Sequence, residues 1–247
     1  MFDLTGKTAL VTGAGRGIGV AIAERFAAAG AFVWVHYNAS ETAAQAVVQG
    51  ILNAGGQARA VGGNIADSGA VDGFFAAIAE SGQTVDILVN NAGVNIQSHL
   101  IRMSDEQIMQ VVAANYLGTV YCTRAALKVM NKKRWGRLIH ISSIVADLGS
   151  PTQTIYCSTK SALFGFSKAL TKEYGGRNIT SNVIMPGLID TDMTRALPEE
   201  AFKAILAGIP AGRVGQPQDI AAACQFLASE EASFISGAEL AVNGGAL

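Results

Sequence analysis

The chain has 247 residues, of which 50% are hydrophobic and 15% charged, and its formal net charge is −1. Such a composition can bury a large core and rules out a disordered, solvating chain. Without an excess of Lys and Arg to neutralise phosphates, it gives no electrostatic basis for binding nucleic acid.

Short apolar or β-branched runs recur along the chain with helix-length segments between them. The first, Thr8 to Val11, leads directly into Thr12-Gly13-Ala14-Gly15-Arg16-Gly17-Ile18-Gly19, and an Ala-rich helical stretch from Ile18 to Ala29 follows, closed by Gly30. A glycine-rich turn between a first strand and a helix lets the backbone approach a pyrophosphate, which the free N–H groups of the helix start attract. The GxGxxG register fails, because Ile18 stands where a third glycine is required. The pattern that fits is GxxxGxG, using Gly13, Gly17 and Gly19. Dinucleotide contacts are therefore expected from Gly13, Ala14, Gly15, Arg16, Gly17, Ile18 and Gly19.

The second run, Phe32 to Val35, is expected to end near Tyr37, where an NAD-preferring enzyme places an acid for the ribose 2′-hydroxyl. This chain has Tyr37-Asn38-Ala39-Ser40 there, with no carboxylate before Glu41. Arg16 is placed to meet a 2′-phosphate, and Asn38 and Ser40 can hydrogen-bond to it, so NADP(H) is the expected cofactor. A helix from Glu41 to Ala54 ends at Gly55, and runs at Ala58 to Val61 and Ile87 to Val89 follow. The second of these opens into Asn90-Asn91-Ala92-Gly93, whose amides can position cofactor and neighbouring backbone. Asn115 sits in a helix-like stretch, where an amide costs propensity, which points to helix bending, water binding or a cap.

Leu138 to Ile141, Asn182 to Ile184 and Leu240 to Val242 bring the expected strands to seven. Their continuous apolar character means both faces are covered. The regular alternation of strand and helix gives a single-domain, doubly wound, Rossmann-like α/β fold with a parallel sheet and helices on both faces, spanning 1–247. Ligands in such a fold sit beyond the carboxyl ends of the strands.

The catalytic reading starts from that edge. Ile141-Ser142-Ser143 ends an apolar strand, so the Ser143 hydroxyl can meet a substrate carbonyl. Tyr156 and Lys160 share one face of a helix running from about Tyr156 to Tyr174. A free phenol has a pKa near 10, and a nearby ammonium that lowers it makes Tyr156 a workable general acid.

No stretch approaches the roughly 18 apolar residues of a membrane span. The opening MFDLTGKTAL does not read as a signal peptide. Cys122, Cys157 and Cys224 are odd in number and form no CxxC pair, which argues for a reducing cytosol and against a disulfide framework or metal site. A cytoplasmic protein with no membrane or nucleic-acid partner is expected.

TGAGRGIG, the Asn90-Asn91-Ala92-Gly93 run, Ser143 with Tyr156-x-x-x-Lys160, and Pro186-Gly187 together resemble the short-chain dehydrogenase/reductase family along the whole chain. The resemblance implies that Tyr156 is the proton donor and acceptor, and that Lys160 holds the nicotinamide ribose and lowers the Tyr156 pKa. It further implies that Ser143 orients the carbonyl and that Asn115 supports a proton-relay water. It puts Asn64 and Ile65 beside the adenine, Asn91 beside a ribose and Ile189 against the carboxamide, with Ala92, Gly93, Pro186, Gly187 and Thr191 among the cofactor contacts.

Within that family, His99 to Met103, Arg177 to Thr180, Pro186 to Thr194, Pro210 to Arg213 and Ile235 to Gly245 resemble the 3-oxoacyl-[acyl-carrier-protein] reductase branch. Gln153 fits as a substrate contact, while Thr154 and Ile155 depart from the pattern before Tyr156. The branch implies an acyl carrier protein thioester as substrate and partner, and a homotetramer with helices around Asn115 to Met130 and Tyr156 to Tyr174 at a dimer interface. An acidic carrier helix needs a basic patch near the active-site mouth. Lys132-Lys133-Arg134 and Arg177 are the candidates, with Arg134 and Arg177 resembling docking arginines. Serine hydrolysis is disfavoured, since there is no GxSxG elbow and His36, His99 and His140 have no acid in a triad arrangement. A non-catalytic NADP(H) sensor would need the glycine turn alone and not a Tyr/Lys/Ser/Asn set. A reductase of an acyl-CoA, sugar or cyclic ketone is the alternative within the family.

Overall fold

The computed structural model describes residues 2–195 and 198–247. All seven expected strands form: β1 Thr8–Val11, β2 Phe32–Tyr37, β3 Gln57–Gly62, β4 Ile87–Asn90, β5 Gly136–Ile141, β6 Ile179–Pro186 and β7 Glu239–Val242. They make one parallel sheet in the order β3-β2-β1-β4-β5-β6-β7. The helices are α1 Gly17–Ala28, α2 Glu41–Asn53, α3 Ser68–Glu80, α4 Asp105–Val112, α5 Gly118–Lys133, the short α6 Val145–Leu148, α7 Thr154–Tyr174, α8 Asp192–Arg195, α9 Glu199–Ala207 and α10 Pro217–Ala228. Gly30 and Gly55 take φ of +92° and +83°, the left-handed stops expected after α1 and α2.

Strand alternation sends successive side chains to opposite faces, and both faces are apolar. Val11 pairs with Val35 and Val89, and this row packs with Ile22 and Phe26 of α1, Val48 of α2 and Ile220 of α10. One residue earlier, Leu10 pairs with Trp34 and Leu88, facing Phe74 of α3, Met130 of α5 and Leu170 of α7. Each fully buried Leu or Phe contributes about 1.5–3 kcal/mol of apolar transfer. The order reverses at β1, which has β2 on one side and β4 on the other, so a crevice opens beyond the carboxyl ends of β1 and β4.

His140 is the core histidine that its apolar strand implied. Asn90 Nδ2 donates to His140 Nδ1 at 3.0 Å, and Nε2 donates to Ser181 Oγ at 3.1 Å. An amide nitrogen only donates, so Nδ1 must be the bare nitrogen. Burial, with a smaller effect from the Lys160 charge, holds the imidazole pKa down at about 3. On acidification the unfolded chain takes up this proton first, so stability is expected to fall as pH drops from about 6.5 toward 3, at up to ~1.4 kcal/mol per pH unit. Urea unfolding between pH 4 and 7 should show a flatter acid limb for His140→Gln; an unchanged slope would mean that the buried ring is not neutral.

Candidate active site

The glycine turn has the geometry its register implied. Gly13 and Gly17 adopt φ of +63° and +55°. Gly19 does not, and its need is space: a Cβ there would lie 2.5 Å from Gly13 O and 2.7 Å from Asn91 Nδ2. Gly15 has no neighbour closer than 3.6 Å, so the GxxxGxG reading is the physical one. Arg16 precedes α1 in extended conformation without a side-chain cap, and no acid occupies the first turn, which leaves the helix N–H groups to a ligand. A cradle of this shape, with an uncapped helix start, fits the pyrophosphate of a dinucleotide.

The loop after β4 locks onto this turn. Asn91 Nδ2 donates to Thr12 O at 2.9 Å and Gly13 O at 3.2 Å, while Thr12 Oγ1 accepts from Asn91 N and Ala92 N and donates to Val89 O. Asn91 thus positions backbone, one of the two tasks expected of it. Thr12 was missed, although a hydroxyl residue between the strand and Gly13 is a readable signal.

Asn115 sits in a π-helical turn, Ala113–Leu117, that joins α4 to α5. Such single turns occur at functional sites. Its Oδ1 accepts from Val94 N at 2.8 Å, and its Nδ2 donates to Val94 O at 2.9 Å and Thr159 Oγ1 at 3.2 Å. Asn115 thus lies inside a continuous helical stretch, in its π turn, and clasps Val94 rather than capping a helix end. The grip on Val94 brings Gly93 to the helices, where a Cβ would meet Asn115 Oδ1 at 3.0 Å and Lys160 Nζ at 3.4 Å.

Ser143, Tyr156 and Lys160 converge at the same edge. The Ser143 hydroxyl lies close enough to the Tyr156 phenol to draw its pKa down, and Ser143 Oγ accepts from Val145 N at 3.4 Å. Lys160 is buried; its Nζ donates to Ile141 O at 2.7 Å and lies 5.8 Å from the Tyr156 ring centroid. Burial pushes the phenol up to about 12, against the opposing effect of Ser143, and pulls the lysine down to about 8. The expected lowering of the phenol by the ammonium is not found: desolvation sets the direction, and Lys160, with its Nζ 5.8 Å from the ring centroid, is not among the groups that shift it.

Other expected contacts fall around the crevice. Thr191 comes over the turn, with its Cγ2 3.4 Å from where a Gly17 Cβ would stand. Pro186 ends β6 and Gly187 follows, packed so closely on Asn243 that a Cβ would meet its Cα at 2.8 Å. Tyr37 covers Gly62, and Glu41 beside it raises its phenol further after desolvation. Asn38 and Arg16 are exposed. Asn64 is also exposed, whereas Ile65 is buried against Gly118 and Ile189 against Gly215. Gln153 precedes α7, its backbone carbonyl accepting from Cys157 N. Cys122 and Cys224 are sealed in the core and Cys157 is half-buried; all three are free thiols. Among the described residues no cluster could hold a metal ion, and no helix is long and apolar enough to cross a membrane.

The basic patch is not where it was expected. Arg134 ends α5 just before β5, and Arg177 lies just before β6, so both stand at the amino edge of the sheet. Ser143 and Tyr156 lie past the other edge, with the six residues of β5 alone spanning about 20 Å. Arg134 Nη2 donates to Gly176 O at 3.1 Å, and Lys133 is paired with Asp86. In a parallel sheet, segments entering and leaving a strand are always on opposite edges, which separates this patch from its own subunit's site.

This fold and site place the chain in the short-chain dehydrogenase/reductase family, to which it belongs: a family model described as enoyl-(acyl carrier protein) reductase matches residues 13–246. Among curated relatives, it is 45% identical over 243 residues to 3-oxoacyl-[acyl-carrier-protein] reductase of Escherichia coli and 43% identical over 242 residues to that of Haemophilus influenzae, covering 98% of each chain in both cases. The reductase of the same description from Synechocystis is 42% identical, over 99% of this chain and 98% of its own. Among solved structures, a protein described as a gluconate dehydrogenase from Agrobacterium tumefaciens superposes with a TM-score of 0.96 at 33% identity, covering 99% of this chain and 97% of that one. One described as an NAD(P) dependent gluconate 5-dehydrogenase from Beutenbergia cavernae, with NADP bound at low occupancy, gives 0.94 at 35%, over 99% and 98%.

Proposed function

We propose that this protein reduces the 3-oxo group of an acyl chain carried on acyl carrier protein, using NADPH. The observation that carries the reading is the convergence of Ser143, Tyr156 and a buried Lys160, its Nζ held by Ile141 O at 2.7 Å, beside the glycine turn at the edge where a doubly wound sheet binds its ligands. Relatives named for this reaction, at 42–45% identity over nearly the full length, give the substrate class. NADP(H) is favoured by the lack of an acid at Tyr37-Asn38-Ala39-Ser40 and by an exposed Arg16.

When bound, the reduced nicotinamide supplies a hydride to the carbonyl carbon. The chain's own residues handle the oxygen. Ser143 donates to it and fixes its direction, and Tyr156 gives it the phenolic proton as the alcohol forms. A phenol held at about 12 is fully protonated at neutral pH, the form that reduction needs. The Lys160 ammonium stabilises the phenolate left behind, and Asn115 holds Gly93 and Val94 against that group.

NADPH oxidation with acetoacetyl thioesters, compared with 5-ketogluconate, tests the reading. The comparison includes the sugar acid because both solved relatives are described as gluconate dehydrogenases. Turnover of the sugar acid without turnover of thioesters would overturn it.

Arg134 and Arg177 are the residues proposed for carrier docking. Because they stand at the amino edge, away from their own subunit's site, the docking role requires that the proposed homotetramer bring them beside a neighbouring subunit's site. Charge reversal at both should lower kcat/KM at least tenfold for carrier-bound substrate and by less than twofold for a short thioester mimic. Equal losses on both substrates would remove the docking role.

A further inference from the structure

His36 lies one residue before the end of β2, is 1% exposed, and has no part in the chemistry described above. Gly13 N donates to its Nδ1 at 3.3 Å, and its Nε2 lies 2.9 Å from Gly63 O. A backbone N–H only donates and a carbonyl only accepts. The neutral ring with its proton on Nε2 is therefore the one form that satisfies both partners. Burial acts in the same direction, holding the imidazole pKa down at about 4 against the opposing Gly63 bond. The ring also packs on Phe74, with centroids 4.9 Å apart.

Both partners belong to loops that leave the carboxyl edge of the sheet. Gly13 is the first glycine of the turn, held at φ +63°. Gly63 starts the loop carrying Asn64 and Ile65, and a Cβ there would press on Phe74 Cδ1 at 2.9 Å, the ring against which His36 packs. Backbone bonds from Ala14 N to His36 O and from Gly63 N to Tyr37 O flank the imidazole bridge. One side chain thus ties the two loops that bracket the end of β2.

We propose that His36 is a cofactor-positioning residue: its Nδ1 holds Gly13, and its Nε2–H holds Gly63, so that the two walls of the dinucleotide site stand at a fixed separation before the cofactor arrives. The inference rests on the reading that the glycine turn binds NADP(H).

An asparagine places its Oδ1 near the position of Nδ1 and so keeps an acceptor for Gly13, whereas a glutamine reaches the Nε2 position and keeps a donor for Gly63 alone. NADPH titration of the wild type, His36→Asn, His36→Gln and His36→Leu separates these contacts. Leaving the Gly13 N–H unpaired in a buried setting is expected to weaken NADPH binding by about tenfold or more in the Gln and Leu variants. The Asn variant, which keeps Gly13 but releases Gly63, should bind NADPH measurably more weakly than wild type but less weakly than the Gln and Leu variants, and the loss should fall on KM for NADPH rather than on kcat. In the cofactor-free protein, hydrogen exchange at the Gly13 amide should be slow for wild type and Asn and fast for Gln and Leu. An Asn variant as impaired as Leu, or a Gln variant equal to wild type, would overturn the proposal. Should His36→Leu not fold, the Asn and Gln pair decides alone. A wild-type protein that binds no NADPH would remove the underlying reading as well, and is told apart because the variants then have no affinity to lose.

Discussion

Tyr156→Phe is expected to lower turnover by roughly two to four orders of magnitude while leaving NADPH affinity nearly unchanged. The substitution removes one hydroxyl and keeps the ring, which is half-buried at the start of α7. Its structural cost is at most one hydroxyl contact, a loss of about 0.5–1.5 kcal/mol, too small to unfold the domain. Its chemical cost is the proton itself. Lys160 is no substitute, because its Nζ is committed to Ile141 O at 2.7 Å and the ammonium stands 5.8 Å from the ring. Water would have to supply the proton to the forming alkoxide. Stopped-flow or steady-state reduction of an acetoacetyl thioester, paired with a fluorescence titration of NADPH, measures both quantities. Residual activity above about a tenth of wild type would remove Tyr156 from its role. Loss of NADPH affinity in parallel would mean that the phenol holds the cofactor and not the substrate.

Much of this was legible because strand centres in a doubly wound sheet are apolar on both faces. What escaped were the polar strand residues whose partners come from far along the chain. β6 begins at Ile179, three residues before the apolar run suggested, since Ser181 is buried on bonds from His140 Nε2 and to Ser236. β5 includes Arg137, which is 0% exposed; its guanidinium donates to Gly136 O, Asn178 O and Glu230 Oε2 while stacking on Trp135. A charge at that position reads as a strand end until those acceptors are known. The site divides in the same way. Ser143 and Tyr156 could be placed from the strand that precedes them. That Asn115 is odd in a helix was visible, but its partner Val94, 21 residues earlier, was not. The arginines at 134 and 177 show a different failure: their charge was read and their edge was not, although a residue that precedes a parallel strand cannot share an edge with one that follows it.

Gly19→Ala should be more damaging than any other alanine in the turn, and Gly15→Ala should be tolerated. Helix propensity alone predicts the reverse for Gly19, which lies inside α1, where alanine gains about 1 kcal/mol over glycine. Packing decides against it. A Cβ at Gly19 would stand 2.5 Å from Gly13 O, 2.7 Å from Asn91 Nδ2 and 2.9 Å from Ala14 Cα. Two of those atoms are backbone, and the third is held by bonds to Thr12 O and Gly13 O, so none can yield cheaply. Overpacking of this kind costs about 1–3 kcal/mol, and displacing Asn91 adds the loss of its bonds. The shift also moves Gly13 away from the conformation that shapes the cradle. NADPH affinity is therefore expected to fall at least a hundredfold, with a lower midpoint of thermal unfolding. At Gly15 the nearest atoms, Ala43 Cβ and Ala44 N, are 3.6 Å from the added carbon and φ is not positive, so affinity should change by less than about threefold. Comparable losses at the two positions would show that Gly15 is as confined as Gly19, and that Gly13, Gly17 and Gly19 are not a set apart in forming the turn.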